Sequence, residues 1–260
     1  MSLKAVVLAR GLGSRMRRAD ASARLDPEQA RAADRGAKGM VPVGRPFLEY
    51  ALSALAAAGV TDACLVIGPE HQAVREHFAR ISLTRLRLHF AIQEEPRGTA
   101  DAVLAAREFA GKDRFLAVNS DNYYPVDALR ALGGAPRSAM AAFEREALVR
   151  DGNLGAGRVA GFPGVRVTSA GTLAALEESA RDAEWVSMNC WAFTPKIFDA
   201  CRAIAPGPTG ELELPAAVRR AVRDGEVFDV FPFALPVLDL TRRADVERVT
   251  RALAGVEVRL

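Results

Sequence analysis

Short apolar runs recur along the first half of the chain, and each is followed by a stretch whose apolar positions fall at helical spacing. This pattern predicts strands at Ala5–Leu8, Ala63–Ile67, Leu88–Ile92, Phe115–Asn119 and Ala139–Phe143. Between them it predicts helices at Pro46–Ala58, His71–Phe78, Thr99–Phe109 and Val126–Leu132. Runs that are apolar at every position, rather than at alternate ones, belong to a sheet covered on both faces. Strands that alternate with helices make that sheet mostly parallel.

The second half is less regular. Short β-like pieces are predicted at Arg158–Ala160, Gly164–Thr168, Thr172–Leu176 and Val186–Phe193. Helices at Pro195–Ile204 and Glu211–Asp224, a strand at Val227–Phe231 and a helix at Arg243–Leu253 follow. No linker, repeat or low-complexity segment divides the chain, so its 260 residues are expected to form one α/β domain. Asp20 to Gly36 reads as a mobile insertion with a short helix from Pro27 to Ala33 and Asp26 as its N-cap.

Composition narrows the class without naming a function. Hydrophobic residues make up 50% and charged residues 26%, with a formal net charge of +3, as in ordinary globular proteins. No basic run interleaved with aromatics points to a nucleic acid. Cys64, Cys190 and Cys201 have no zinc spacing, and so few cysteines suit a reducing cytoplasm. Neither a signal peptide nor an apolar stretch of bilayer length is visible, so no membrane partner is expected. Oligomeric state is not written in the sequence.

Candidate chemistry begins where the first strand ends. Ala9-Arg10-Gly11-Leu12-Gly13-Ser14-Arg15 is a Gly-rich turn whose backbone amides can cradle phosphate oxygens, and Arg15 and Lys38 are placed to add positive charge. The Walker pattern is excluded because no Gly-Lys-Ser/Thr closes the loop. The dinucleotide fingerprint fails as well, since Met16 stands at its third glycine and the next strand ends in Gly68-Pro69. Asp121 directly follows a buried strand, as either a turn cap or a carboxylate for a hard cation; Asp239, in an apolar setting, reads equally as a cap or a second such ligand. Gln93 can read a base edge, Gly98 allows close approach to a flat ring, and Thr99 is a natural N-cap.

In this order the segments resemble the sugar-1-phosphate nucleotidyltransferases, also called nucleoside-diphospho-sugar pyrophosphorylases. The resemblance rests on Leu8 to Met16, Lys38 to Val43 with Arg45-Pro46-Phe47-Leu48, Gln93 with Gly98-Thr99-Ala100, Asp121, Gly210-Glu211-Leu212-Glu213-Leu214, and Leu238-Asp239-Leu240-Thr241. It implies a single Rossmann-like α/β domain, a mostly parallel mixed sheet with helices on both faces. It also implies transfer of a nucleotidyl group from an NTP to a sugar 1-phosphate, releasing pyrophosphate. Mg²⁺ would sit on Asp121 and Asp239. Arg15 and Lys38 would be catalytic. Ala9, Gly11, Gly13, Ser14, Gln93, Gly98 and Thr99 would hold the nucleotide. Gly157, Glu178 and Asn189, in a β-rich stretch over 150–195, would hold the sugar phosphate. A glutamine with a backbone group suits the imide edge of uracil or thymine, which favours UTP or dTTP.

The chain departs from the family pattern in three places. Arg10 stands where the family has Gly or Ala. The interval from Arg15 to Lys38 is long, so the insertion is expected to act as a lid. The family's Glu-Lys-Pro is replaced by Glu177-Glu178-Ser179-Ala180, with Arg181 a candidate substitute for the lysine. Two other readings stay open: a non-catalytic nucleotide-binding homologue, and transfer to a non-sugar phosphate such as phosphocholine. The second would need an aromatic box, for which Tyr123, Tyr124, Trp185 and Trp191 are candidates. No hexapeptide repeat is present, so a bifunctional enzyme is not expected.

Overall fold

The computed structural model describes residues 2–260. In chain order the first half comprises β1 (Leu3–Leu8), α1 (Ser14–Arg17), α2 (Pro27–Arg35), α3 (Phe47–Ala57), β2 (Val60–Ile67), α4 (Gln72–Ala79), β3 (Arg87–Ile92), α5 (Thr99–Ala105), α6 (Arg107–Ala110) and β4 (Phe115–Asn119). Then come β5 (Asn122–Tyr123), α7 (Val126–Gly134), β6 (Ala139–Glu144), α8 (Arg145–Arg150), α9 (Ala156–Val159), β7 (Gly164–Val167), β8 (Leu173–Leu176) and β9 (Trp185–Phe193). The chain closes with α10 (Ile197–Ala203), α11 (Leu214–Arg223), β10 (Asp229–Phe233), β11 (Leu238–Asp239) and α12 (Asp245–Ala252).

The main sheet has the order β10-β6-β9-β4-β1-β2-β3, with β7 and β8 continuing from β9. Strands β4, β1, β2 and β3 are parallel, whereas β9 runs antiparallel to both β4 and β6. Burial explains the uniformly apolar strands. Ala5 and Val7 of β1 face one core, packed with Leu52 and Leu55 of α3 and Leu129 of α7. Val6 and Leu8 face the other core, with Val103 of α5, Phe198 of α10 and Val218 of α11. A strand with both faces covered has no polar side to show. The expected α/β architecture is thus observed.

After β1 the chain moves outward through β2 to β3, and then returns to place β4 on the other side of β1. That reversal opens a crevice at the C-terminal ends of β1 and β4, where ligands of open α/β sheets bind.

The structure corrects three expectations. Arg158–Ala160 is not β-like: Ala156–Val159 is a helical turn with Val159 fully buried. The helix expected over Thr99–Phe109 is two helices meeting at Ala106. Of the segment 20–36, expected as a lid, only Gly36 lines the crevice. Asp26 and Gln29 form a reciprocal capping box on α2. The Gln29 side-chain amide donates to the Pro42 carbonyl at 3.0 Å, and Arg243 pairs with Asp34. Ala33 of α2 is fully buried, in a third core with Met16, Phe47 and Val249 of α12.

Candidate active site

The crevice is a cleft of about 690 Å³. One wall is the loop after β1, tied at its root by the Ala9 amide donating to the Val66 carbonyl at 2.9 Å. Gly13 (φ +63°) precedes α1 in the left-handed region, and Gly36 (φ +73°) ends α2 in the same way. The two are packed back to back. A Cβ on Gly13 would lie 2.1 Å from the Gly36 carbonyl oxygen, and one on Gly36 would lie 2.7 Å from that of Leu12. Only glycine fits at either place. This contact sets the short 3₁₀ turn Lys38–Met40 beside the phosphate loop, so Ala9, Gly11, Gly13, Ser14, Arg15 and Lys38 all line one cleft.

The opposite wall follows β4. Asp121 lines the cleft, and its Oδ2 lies 2.5 Å from the Lys38 ammonium. A two-stranded antiparallel ribbon, β5 with β11, pairs Asn122 with Asp239. The Leu240 amide donates to the Asp121 carbonyl at 2.8 Å, which brings two aspartates distant in sequence together. Asp239 does not itself line the cleft; it is 5% exposed, behind Asp121. Its backbone exchanges hydrogen bonds with the Asn153 side chain at 2.7 and 2.8 Å, and its carboxylate accepts from Arg158, which also pairs with Asp245. Burial first, and the Asp121 charge second, push the Asp239 carboxyl up to about 6, against the pull of Arg158. Two carboxylates that repel one another in a sheltered place are a donor set suited to a hard divalent cation. The residues present fit Mg²⁺.

At the far end lie Gln93, Gly98 and Thr99. Gln93 donates both amide hydrogens, to the Gly98 carbonyl at 3.1 Å and to Asp101 at 2.7 Å. A carboxylate only accepts, so the amide nitrogen must face Asp101 and Oε1 is left without a protein partner among the described residues. Gly98 (φ +112°) runs against the Leu212 backbone, which a Cβ would meet at 2.5 Å. Thr99 donates no cap to its own helix; its Oγ1 accepts from the Leu214 amide at 2.8 Å and ties α11 to α5.

Towards the second half, Glu178 and Asn189 line the cleft, whereas Gly157 does not. Gly157 lies within α9, and the turn after that helix sends Gly161, Phe162 and Pro163 to the cleft instead. Asn189 has the one positive φ (55°) of a non-glycine residue among those described, and its Oδ1 accepts from the Trp191 indole at 3.3 Å. Arg181 does not line the cleft, so it does not replace the missing lysine. Nor is there an aromatic box: Trp191 and Tyr124 are buried, and Phe162 is the only Phe, Tyr or Trp in the lining among the described residues. Sequence reasoning missed Arg158, Asn153 and Asp245, whose roles arise from contacts far along the chain.

Residues 32–234 match the family model "Nucleotidyl transferase", and the chain belongs to that family. The phosphate loop and Asp239 lie outside the matched stretch. A glucose-1-phosphate thymidylyltransferase of Streptomyces antibioticus is 30% identical over 234 residues, covering 86% of this chain and 58% of that protein. The chain therefore spans little more than half the length of that relative. A CMP-5'-(3-aminopropyl)phosphonate synthase of Streptomyces rubellomurinus is 34% identical over 146 residues, 55% of this chain and 21% of that protein. Among solved structures, UDP-glucose pyrophosphorylase complexed with UDP-glucose superposes with a TM-score of 0.77 at 17% identity, covering 99% of this chain and 100% of that one. That likeness shows a shared fold.

Proposed function

We propose that this protein transfers a nucleotidyl group from UTP or dTTP to a sugar 1-phosphate, with Mg²⁺ as cofactor. The observation that carries the reading is the convergence of the Gly11–Ser14 loop, Lys38, Asp121 and Gln93 on one cleft at the switch point of the sheet. The thymidylyltransferase relative supports the substrate class.

In this reading a phosphate oxygen of the sugar 1-phosphate attacks the α-phosphorus in line, the α–β bridging bond breaks, and pyrophosphate leaves. Rate enhancement comes from positioning and charge neutralisation. The loop amides and the Arg15 fork hold the leaving phosphates, and Lys38 places a point charge beside the reacting one. Asp121 and Asp239 would hold Mg²⁺, which when bound neutralises phosphate oxygens and aligns the two substrates. The free Oε1 of Gln93 accepts from a ring N–H, as uracil and thymine provide. Glu178 and Asn189 face the sugar. No helix among the described residues is long and apolar enough to cross a bilayer.

The phosphonate-acting relative favours a second acceptor class, an organic phosphonate with CTP as donor. A pyrophosphate-release assay with five NTPs, a panel of sugar 1-phosphates and an aminoalkylphosphonate decides. Release that depends on UTP or dTTP, a sugar 1-phosphate and Mg²⁺ is expected. Release only with CTP and the phosphonate selects the second reading. Nucleotide binding without release under any condition identifies a non-catalytic homologue.

A further inference from the structure

Arg10 departs from the family pattern, and its surroundings are built around it. The side chain is 8% exposed, yet Arg10 lines the cleft. Its Nε donates to the Gln93 backbone carbonyl at 3.0 Å and its Nη1 to Glu70 at 2.5 Å. One arginine thereby joins the ends of β1, β2 and β3. Room for it is made at Gly68, where a Cβ would lie 2.5 Å from the Arg10 Cζ. Arginine has five N–H groups, and neither hydrogen of Nη2 has a partner among the described residues. Nη2 is also not a sealed orphan: among the described residues the one buried side-chain atom without a hydrogen bond is the Thr250 hydroxyl. Of the three guanidinium nitrogens Nη2 alone is uncommitted, and Arg10 lines the same cleft as Gln93.

Resting on the proposed nucleotide site, we infer that Arg10 selects the base, by donating from Nη2 to the carbonyl on the amino-bearing side of the ring (C4=O in uracil and thymine) that flanks the N–H accepted by Gln93 Oε1. A donor beside an acceptor matches an N–H next to C=O. Uracil and thymine carry that arrangement, and guanine has it on its N1–O6 edge. Cytosine and adenine present a bare ring nitrogen beside an amino group, so both protein groups would meet their own kind. Gln93 alone rejects the bare nitrogen; Arg10 adds a charged donor that rejects the amino group. The rigid fork matters, because two of its nitrogens are already committed to holding the third in place.

The test couples a protein change to a single-atom change in the ligand. Binding of UTP, 2-thio-UTP, 4-thio-UTP and CTP is measured by calorimetry on the wild-type chain, Arg10→Ala and Arg10→Lys. Sulfur is a weak acceptor, so 4-thio-UTP should bind wild type about tenfold more weakly than UTP, whereas a penalty at 2-thio-UTP alone would put the contact on the carbonyl that cytosine shares and overturn the inference. The 4-thio penalty should vanish in Arg10→Ala, where the donor is gone. The UTP-to-CTP preference should fall by about ten- to a hundred-fold in the same variant while Gln93 preserves the remainder. A purely structural role for Arg10 would weaken all four ligands equally and leave the thio penalty in place, which overturns the inference. If Arg10→Ala does not fold, Arg10→Lys carries the same cycle, and a wild type indifferent to the 4-thio substitution is by itself a refutation. Absence of any NTP binding defeats the nucleotide-site reading along with this one. A normal UTP preference without pyrophosphate release defeats only the catalytic reading.

Discussion

The Lys38 ammonium rests 2.5 Å from a carboxylate oxygen of Asp121, across the mouth of the cleft and from the opposite side of the switch point. Each side chain is 19% exposed, sheltered but open to a ligand. Under the proposed function the pair would keep a phosphate-binding cation and a metal-binding anion mutually compensated in the resting state. When substrates arrive, each has a partner of opposite sign to turn to.

Breaking that pair should therefore hurt turnover much more than folding. Asp121→Asn and Lys38→Met are each expected to lower kcat/KM by about 10²–10³-fold, the usual cost of deleting one preorganised electrostatic group. Circular dichroism and melting temperature should stay close to wild type. A variant of either residue with wild-type kinetics would place that residue outside the site.

Arg15 should not be replaceable by lysine. The fork can grip two phosphate oxygens at once, whereas an ammonium is a single point charge. Arg15→Lys is expected to lose about tenfold or more in kcat/KM at unchanged net charge, with most of the loss in the NTP-dependent term. Steady-state kinetics with the NTP as varied substrate measure it, and an unaltered NTP KM and kcat would remove the bidentate role.

At Gly13, even one methyl group should be ruinous. The residue is left-handed and its missing Cβ is occupied by the Gly36 carbonyl. Gly13→Ala must therefore move the phosphate loop away from the Lys38 turn. We expect NTP binding to fall at least tenfold by calorimetry, with only a modest drop in global melting temperature because the cores are untouched. Retained affinity would mean that the loop amides do not hold phosphate.

Asp62 governs the acid side of stability. Its carboxylate accepts two hydrogen bonds from Arg87, at 2.7 and 2.8 Å, and others from Ser2 and Thr61. The Arg87 bonds, ahead of the Ser2 and Thr61 hydroxyls, hold it well below the usual carboxylate range. A carboxyl lowered on folding adds stability above its unfolded value, about 3.9, and loses it as pH falls towards the folded one. Asp62→Asn should cost about 2 kcal/mol at pH 7. The gap to wild type should narrow below about pH 4 in urea titrations. A gap independent of pH would assign the effect to packing.

The elements that sequence predicted well are those where one local pattern is repeated many times. The apolar runs of β1, β2 and β4 could hardly be anything but strands buried on both faces. The Gly-rich loop, Lys38 and Gln93 were legible because turn chemistry and charge are local properties. Arg158 was not. Arg-Val-Ala is too short to show a period, and the helical turn it occupies is held by ion pairs to Asp239 and Asp245. Gly157 was misplaced for the same reason, since its face depends on that turn. The ribbon of β5 and β11 has two residues on each side. No alternation can be read from two residues, so the sequence could suggest two aspartates but not their meeting.

That ribbon has a consequence for how the protein comes into being. Asn122 and Asp239 are 117 positions apart, and β11 is the last strand of the chain. A ribosome adding about 5–20 residues per second exposes the glycine loop, Lys38 and Asp121 many seconds before Asp239. During that interval the nascent chain holds most of the proposed phosphate pocket but only one of its paired acids. A chain interrupted before β11 would therefore hold the glycine loop, Lys38 and Asp121 without Asp239 beside them.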